Sequence, residues 1–241
     1  MGYALFAAMI AAGYLAGSLN FAIIVTRLAA GKDIRNLGNA NPGAANVGRS
    51  LGRGWGALVL LGDVLKGLLP MLAARLLFFR GNGWWDILAV VAVGLAAIVG
   101  HCRPVFHGFR GGGGVAASLP VFSFFAPVEF AVSMLLGALI IALFVKNVQF
   151  RLGRWIPMMF ITIAPFLTAA VNAAVSVPLG GRLSIGGHPW AVPIGMLATS
   201  VVVLAFNVGL LRTAFKNLRA SRRAERRSRV ATSSIVRGRS A

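Results

Sequence analysis

The chain is poor in acids and in charge altogether. Its 241 residues include five Asp and Glu, and all charged types together reach 12 %, against about a quarter in a soluble domain. So few charges cannot cover the surface of a water-soluble protein of this size, which excludes the ordinary soluble classes. A single cysteine, Cys102, excludes an internal disulfide. His101, His107 and His188 show no ligand spacing, the first two lying either side of Pro104, so no metal and no cofactor are expected. No heptad run or tandem repeat is present. No nucleophile elbow and no defensible Ser–His–Asp order appears. Chemistry that depends on an activated serine is therefore not indicated, and any reaction must begin from a group that is already activated.

Apolar sequence fills the space left by charge. Runs of membrane length recur at about 3–30, 55–79, 84–102, 114–126, 128–146, 155–179 and 189–211. They predict an all-α integral membrane protein with about seven transmembrane helices. The first run is too long for a signal-peptide core and leads straight into polar residues, so it reads as a retained helix. The fourth is short and suits a partly re-entrant segment. Basic residues set the orientation. With the N-terminus outside, 27–53, 103–110, 146–154 and the tail face the cytoplasm and hold five, two, three and ten of them. The outer side holds only Arg75, Arg80 and Arg182, and the C-terminus is cytoplasmic.

The net charge of +19 does not point to nucleic acid. Ten of the 24 basic residues fall after residue 211 and most others at helix ends, which suits anionic lipid headgroups. Two regions follow: a seven-helix membrane domain over 1–211 and a basic tail over 212–241, expected to be disordered or to lie along the membrane surface. Membrane lipids are the implied partners.

Two glycine-rich stretches interrupt the apolar runs, Gly31–Gly52 and Gly100–Val115. On the predicted topology both face the cytoplasm. The first carries the turn Asn41–Pro42–Gly43, with Asn41 and Asn46 able to orient oxygens and Arg49 able to fork onto a phosphate. The second carries Arg110 and four glycines, Gly111, Gly112, Gly113 and Gly114, ahead of a helix, a pattern that suits an anion nest with a helix dipole behind it. Asp63 and Lys66 lie three apart in an apolar span and so share a face; they read either as functional charges or as a structural ion pair. His101 ends the preceding span, either as a site residue or as a structural hydrogen-bonder.

These stretches resemble the bacterial membrane acyltransferases that acylate glycerol 3-phosphate from acyl phosphate, the PlsY family. Gly17–Ser18 resembles the family's GSIP start, with Asn20 in place of proline. Lys32 to Gly52 resembles KDIR…GSGNPGATNVxRxxG and continues into Asp63, Lys66 and Gly67. Gly100 to Ala116 resembles GHxxPxFxxFxGGKGVAT. The resemblance implies a seven-helix enzyme of the bacterial inner (cytoplasmic) membrane that uses no metal and makes lysophosphatidate for phospholipid synthesis. It implies roles for Ser18, Arg49, Lys66 and His101 in catalysis. Asn41, Gly43, Asn46, Arg110 and Gly111 to Gly114 would bind the phosphates of acyl phosphate and glycerol 3-phosphate, and the acyl chain would lie in a groove between helices.

The chain departs from the family pattern at several positions. Gly113 replaces the GGKG lysine, Ala117 a threonine, and Asn39, Ala40 and Ala45 stand for serine, glycine and threonine. The family's third motif, HRxNIxRLxxGxE, is eroded. Starting it at Leu211–Arg212 places Ala214 and Arg223 on its asparagine and glutamate, whereas a one-residue gap brings in Asn217 and Glu225. Loss of one charged contact costs roughly 10–100-fold in rate. The alternative reading is thus a catalytically impaired member, a lipid-binding or structural subunit with a protein partner in a membrane complex.

Overall fold

The computed structural model describes residues 3–144, 156–174, 176–180 and 183–209. The basic stretch 146–154, Arg182, the tail and the motif candidates Asn217 and Glu225 lie outside the described residues. One compact unit covers Met1–Leu204; the second, Ala205–Ala241, is described only as far as Gly209.

Helices follow the apolar runs. They are α1 Tyr3–Ser18, α2 Phe21–Ala30, α3 Ala44–Leu51, α4 Arg53–Ala73, α5 Trp84–Cys102, α6 Val115–Ser123, α7 Pro127–Phe144, α8 Ile156–Ala174 and α9 Ala191–Gly209. Four stretches are long and apolar enough to cross a membrane: Tyr3–Ala30, Arg53–Leu77, Trp84–His107 and Ala191–Gly209. α7 and α8 are apolar but shorter. α6, nine residues long, rises only about 14 Å, less than half of the roughly 30 Å hydrocarbon core. Lipid-facing surface is written on the outside of the helices. On α7, Leu135, Leu139 and Leu143 recur every fourth residue and are 71 %, 55 % and 69 % exposed, a stripe that water would not tolerate.

Three departures from the sequence reading have local causes. The first apolar run is broken in two, because Asn20 stops at an extended backbone and its Oδ1 accepts from Ile23 N at 3.2 Å, capping α2. The first glycine-rich stretch is not all loop. Asp33 caps a 3-10 turn at Ile34–Asn36, and Gly43 starts α3, whose Val47 packs in the core with Ile23 and Val59. The helix expected to run to residue 179 ends earlier, and an antiparallel hairpin forms from β1 Ser176–Gly180 and β2 Leu183–Gly186, with Val177 opposite Ile185. Glu129 of α7 pins this hairpin: its Oε1 accepts from Gly186 N at 2.8 Å and lies 3.1 Å from His188 Nε2. Buried at 2 % exposure, Glu129 thereby finds partners for Oε1, while Oε2 has no hydrogen-bond partner among the described residues.

Helix contacts are made through small residues, as packing without a hydrophobic driving force favours. α1 lies on α5 through Gly13 and Gly17, which meet the backbone of Val93 and Ala97; Gly100 returns the contact against Tyr14 and Ser18. Gly67 of α4 meets the Ala117 carbonyl of α6, and Gly48 meets Gly56 where α3 folds back on α4. These crossings bring the α1–α2 break, the middle of α4 and the end of α5 to one place.

Candidate active site

The two glycine-rich stretches fold against each other. Asp33 organises the first. Its carboxylate accepts from Arg35 Nε at 3.0 Å and Arg35 Nη2 at 2.7 Å, and from Arg27 at 3.0 Å, while also capping Arg35 N at 2.9 Å. Arg35 then donates from Nη1 to the His107 carbonyl at 3.1 Å, crossing to the second stretch. These hydrogen bonds from Arg35 hold the Asp33 carboxyl well below the usual carboxylate range, and Asp33 in turn raises Arg35. A folded-state pKa below the unfolded one adds stability at neutral pH that is lost as pH falls from about 4 toward the lower value. Asp33→Asn is expected to cost about 1 kcal/mol at pH 7, the upper end for such partly exposed pairs. The gap from wild type should narrow progressively as pH falls below about 4, as read by thermal unfolding in detergent. A gap that persists at low pH would mean that the charge is not its source.

The second stretch is anchored to α1. Tyr14 donates its hydroxyl proton to the Arg103 carbonyl at 2.8 Å, and Ser18 Oγ donates to Tyr14 O at 2.9 Å while accepting from Val105 N at 3.4 Å. Gly111 N and Gly112 N donate to the Cys102 and His101 carbonyls at 3.3 and 3.2 Å, folding the loop back onto the end of α5. Gly114 starts α6 at φ +79°, a backbone that disfavours a side chain. Between the two stretches lies a cleft of about 410 Å³, lined by Asp33, Arg35, Asn36, Ala40, Pro42, Arg110 and Gly111.

Behind Gly112 of the second stretch lies a buried charge cluster. Lys66 Nζ is 2.8 Å from Asp63 Oδ1, 2.7 Å from His101 Nδ1 and 3.0 Å from the Leu19 carbonyl freed by the α1–α2 break. Asp63 Oδ1 lies 3.5 Å from His101 Nδ1. Asp63, Lys66 and His101 are 0 %, 5 % and 2 % exposed. The Asp63 contacts are charge contacts, since neither of its oxygens has an aligned hydrogen-bond partner. On its other side the imidazole meets the second stretch: a side chain at Gly112 would collide with His101 Nε2 and come within 2.8 Å of the Pro42 carbonyl oxygen.

The residues picked from the sequence divide into three groups. Lys66 and His101 come together, with Asp63, which was given no catalytic role from the sequence, as their partner; its i, i+3 spacing to Lys66 was the available signal. Arg49 and Arg110 are exposed cations with no ion pair among the described residues. Arg110 lines the cleft; Arg49 stands on the last turn of α3. The others brace the loops. Asn46, expected at the phosphates, is buried, and its amide is taken up by the chain itself: Oδ1 accepts from Asn39 N at 3.2 Å, and Nδ2 donates to Leu37 O at 2.9 Å. This corrects its role from ligand to loop brace. The nest expected at Gly111 and Gly112 is corrected likewise, because their N–H groups point back to α5. The Ser18 hydroxyl is buried with both hydrogen bonds made, Gly43 serves as the N-cap of α3, and Asn41 is half-buried beside it, its N–H on Asn39 Oδ1 at 3.3 Å. Sequence reasoning missed Arg35 as the tie between loops. Its spacing from Asp33 was visible, but its bond to His107, seventy-two residues away, was not.

Known proteins resemble this chain in sequence and in overall fold. Among curated relatives, the glycerol-3-phosphate acyltransferase of Neisseria meningitidis serogroup A is 39 % identical over 195 residues, covering 81 % of this chain and 86 % of that protein. The one from Anaeromyxobacter sp. (strain K) is 46 % identical over 121 residues, covering 50 % of this chain; the aligned part spans only 59 % of that relative's length. A crystal structure of PlsY (YgiH), an integral membrane glycerol 3-phosphate acyltransferase in its glycerol 3-phosphate form, matches with a TM-score of 0.67 at 30 % identity, covering 90 % of this chain and 94 % of that one. Its lysphosphatidic acid form matches at 0.65 and 28 %, with 90 % and 93 % covered. The chain is thus a multi-pass membrane protein, and with a family profile matching residues 7–212 it belongs to the glycerol-3-phosphate acyltransferase family.

Proposed function

We propose that the chain transfers an acyl group from acyl phosphate to glycerol 3-phosphate, giving lysophosphatidate for phospholipid synthesis. The observation that carries this reading is the arginine-lined cleft between the two glycine-rich stretches, at one end of helices whose outer faces are apolar. A soluble phosphate can enter from water there while an acyl chain stays in lipid. The matched solved structures, named for glycerol 3-phosphate and for its acylated product, support the same substrate class.

Each bond change has a place. A glycerol 3-phosphate hydroxyl oxygen bonds to the acyl carbon, the carbon–oxygen bond to phosphate breaks, and inorganic phosphate leaves with the hydroxyl proton. The sole cysteine, Cys102, is buried, so it offers no accessible nucleophile and a direct transfer fits best. Arg110 and Arg49 hold phosphate oxygens. The bracing of Arg35 by Asp33 keeps the cleft open, with Asn41 and Gly43 on either side of its Pro42 and with Gly113 and Gly114 following its Gly111 along the second loop. Lys66 and His101 lie buried behind Gly112 of the second loop, and Ser18 holds that loop in place. Seven spans, with the N-terminus outside and the C-terminus in the cytoplasm of a bacterial inner membrane, place the cleft beside the phosphorylated metabolite pool. On this reading the region after residue 211 is a basic tail lying along anionic lipid.

The test is turnover of palmitoyl phosphate and labelled glycerol 3-phosphate by purified protein, beside Arg49→Ala, Arg110→Ala and Gly113→Lys. Wild-type turnover is expected, with a loss of roughly 10–100-fold for each arginine, the size of one charge-assisted contact. Gly113→Lys should raise the rate by restoring a cation that the family carries. Silence from folded wild type and from Gly113→Lys would favour a lipid-binding or structural subunit.

A further inference from the structure

A second cavity opens where α4 gives way to α5, at the far end of both helices from the cleft. It holds about 560 Å³ and is lined by Arg75 and Arg80 together with Leu72, Leu76, Phe124 and Phe125. Ile87 of α5 also lines it, and about 20 Å of helical rise separates Ile87 from His101. No acid lines the cavity, and neither arginine has an ion pair among the described residues. Glu129 lies behind His188 on the lining, with its Oε1 taken by His188 and Gly186 N, and Asp86 stands against Gly81. The two arginines are held differently. Arg75 is committed to the protein: Nη1 donates to the Phe79 carbonyl at 2.8 Å and to the Gly81 carbonyl, and Nη2 donates to Asn82 Oδ1 at 2.7 Å. These bonds fix the chain after the π-helical turn Ala74–Phe78, which Phe79 N closes on Ala74 O at 2.9 Å. Arg80 donates only from Nε, to the Leu76 carbonyl at 2.6 Å. The N–H groups on its two Nη atoms have no partner among the described residues. A guanidinium with that fork open matches the oxygens of a phosphate.

The apolar half of the lining runs out onto the lipid-facing surface. Leu58, Leu61, Leu65, Leu69, Leu72 and Leu76 recur at steps of three and four, share one face and are all exposed. The last two line the cavity. Exposed Trp84 and Trp85 begin α5 beside it, and Arg80 falls between the membrane-length stretches Arg53–Leu77 and Trp84–His107. Both features put the mouth of the cavity at the level of lipid headgroups. We propose that this cavity binds an anionic phospholipid, with Arg80 on the phosphate, Arg75 adding positive charge and one acyl chain lying along the exposed leucines of α4. The continuity of the charged cavity with the leucine stripe is what assigns a lipid instead of a free phosphate. On the topology proposed above the lipid belongs to the outer leaflet, where basic residues are otherwise scarce. The proposal does not rest on the acyl-transfer reading.

A side chain at Gly83 would meet nothing nearer than Asp86 Oδ2 at 3.7 Å, and the native Cys102 is buried. Gly83→Cys therefore takes a thiol-reactive fluorophore selectively, close to the cavity. In full-length protein held in uncharged detergent, nitroxide-bearing phosphatidylglycerol should quench that label saturably. Unlabelled phosphatidylglycerol should reverse the quenching, whereas phosphatidylcholine and inorganic phosphate at the same concentration should not. On this labelled background Arg80→Gln should weaken binding by about tenfold or more, the size of one charge-assisted contact. Arg80 is exposed, so the variant should keep its fold, which thermal unfolding checks. Arg53→Gln removes the same charge at the other end of α4 and should leave binding unchanged. Quenching that never saturates would overturn the proposal, as would a folded Arg80→Gln that binds like the parent. Equal weakening in both variants would replace it with general attraction to a cationic protein. Reversal by phosphatidylcholine would remove the selection for charge, and reversal by inorganic phosphate would remove the lipid; either result overturns it.

Discussion

Lys66→Met is expected to lower stability by about 3–5 kcal/mol, because it leaves the Asp63 carboxylate buried and uncompensated. Asp63 is fully buried and both of its oxygens already lack an aligned hydrogen bond. The neighbouring cation is what makes its charge tolerable. The Leu19 carbonyl also loses its donor in this variant. Methionine keeps much of the lysine's apolar length, so packing against α1 and α5 changes little and the loss reads on charge. The double variant Asp63→Asn/Lys66→Met removes both charges and should recover more than half of the loss. Equilibrium unfolding in mild detergent gives both numbers. A single variant no less stable than the double would show that Asp63 does not depend on Lys66.

Gly17→Ala and Gly100→Ala should each destabilise by about 1–3 kcal/mol, the range for inserting a methyl into a packed interface. A methyl on Gly17 would collide with the Ala97 carbonyl and come within 2.7 Å of the Ala97 Cα, and one on Gly100 would collide with the Tyr14 carbonyl and come within 2.9 Å of Ser18 N. Both neighbours are backbone, which cannot rotate away. The two helices must part, and the effect should travel. Tyr14 and Ser18 are the residues through which α1 holds Arg103 and Val105 of the second loop, so the KM for glycerol 3-phosphate should rise along with the loss of stability. Gly54→Ala is the control: it has open space around it in the first turn of α4 and should be neutral or stabilising by a few tenths to about 1 kcal/mol. Loss in all three would point to a general intolerance of alanine instead of to the α1–α5 contact.

The fold was legible where apolar length carried it. Each of the seven runs holds helix, because a backbone in lipid must satisfy its own hydrogen bonds. The structure diverges where a short-range signal met a long-range partner. Asn41–Pro42–Gly43 reads as a turn, and it is one, but its glycine also opens α3, whose sequence AANVGRSL is too short and too polar to advertise a helix. Glycines ahead of a helix suggest outward-pointing N–H groups; those of Gly111 and Gly112 turn inward because the carbonyls at the end of α5 stand opposite them. Asn46 looks like a ligand by type, and only the fold reveals that Leu37 and Asn39 have already claimed it. The Glu129–His188 pair was hidden for the same reason, fifty-nine residues apart with no local pattern. Lys66 and Asp63 were the opposite case: two charges one helical turn apart in an apolar span announce a meeting, and His101 completed it.

That meeting also bears on voltage. A lone ammonium at this depth would couple the protein to the transmembrane potential, at up to about 2.3 kcal/mol per elementary charge per 100 mV for a full crossing. Asp63 sits 2.8 Å from the ammonium on the same helix, so the pair presents the field with a short dipole instead of a net charge. The buried cluster is thereby electrically quiet, and the energising or collapse of the membrane leaves it in place.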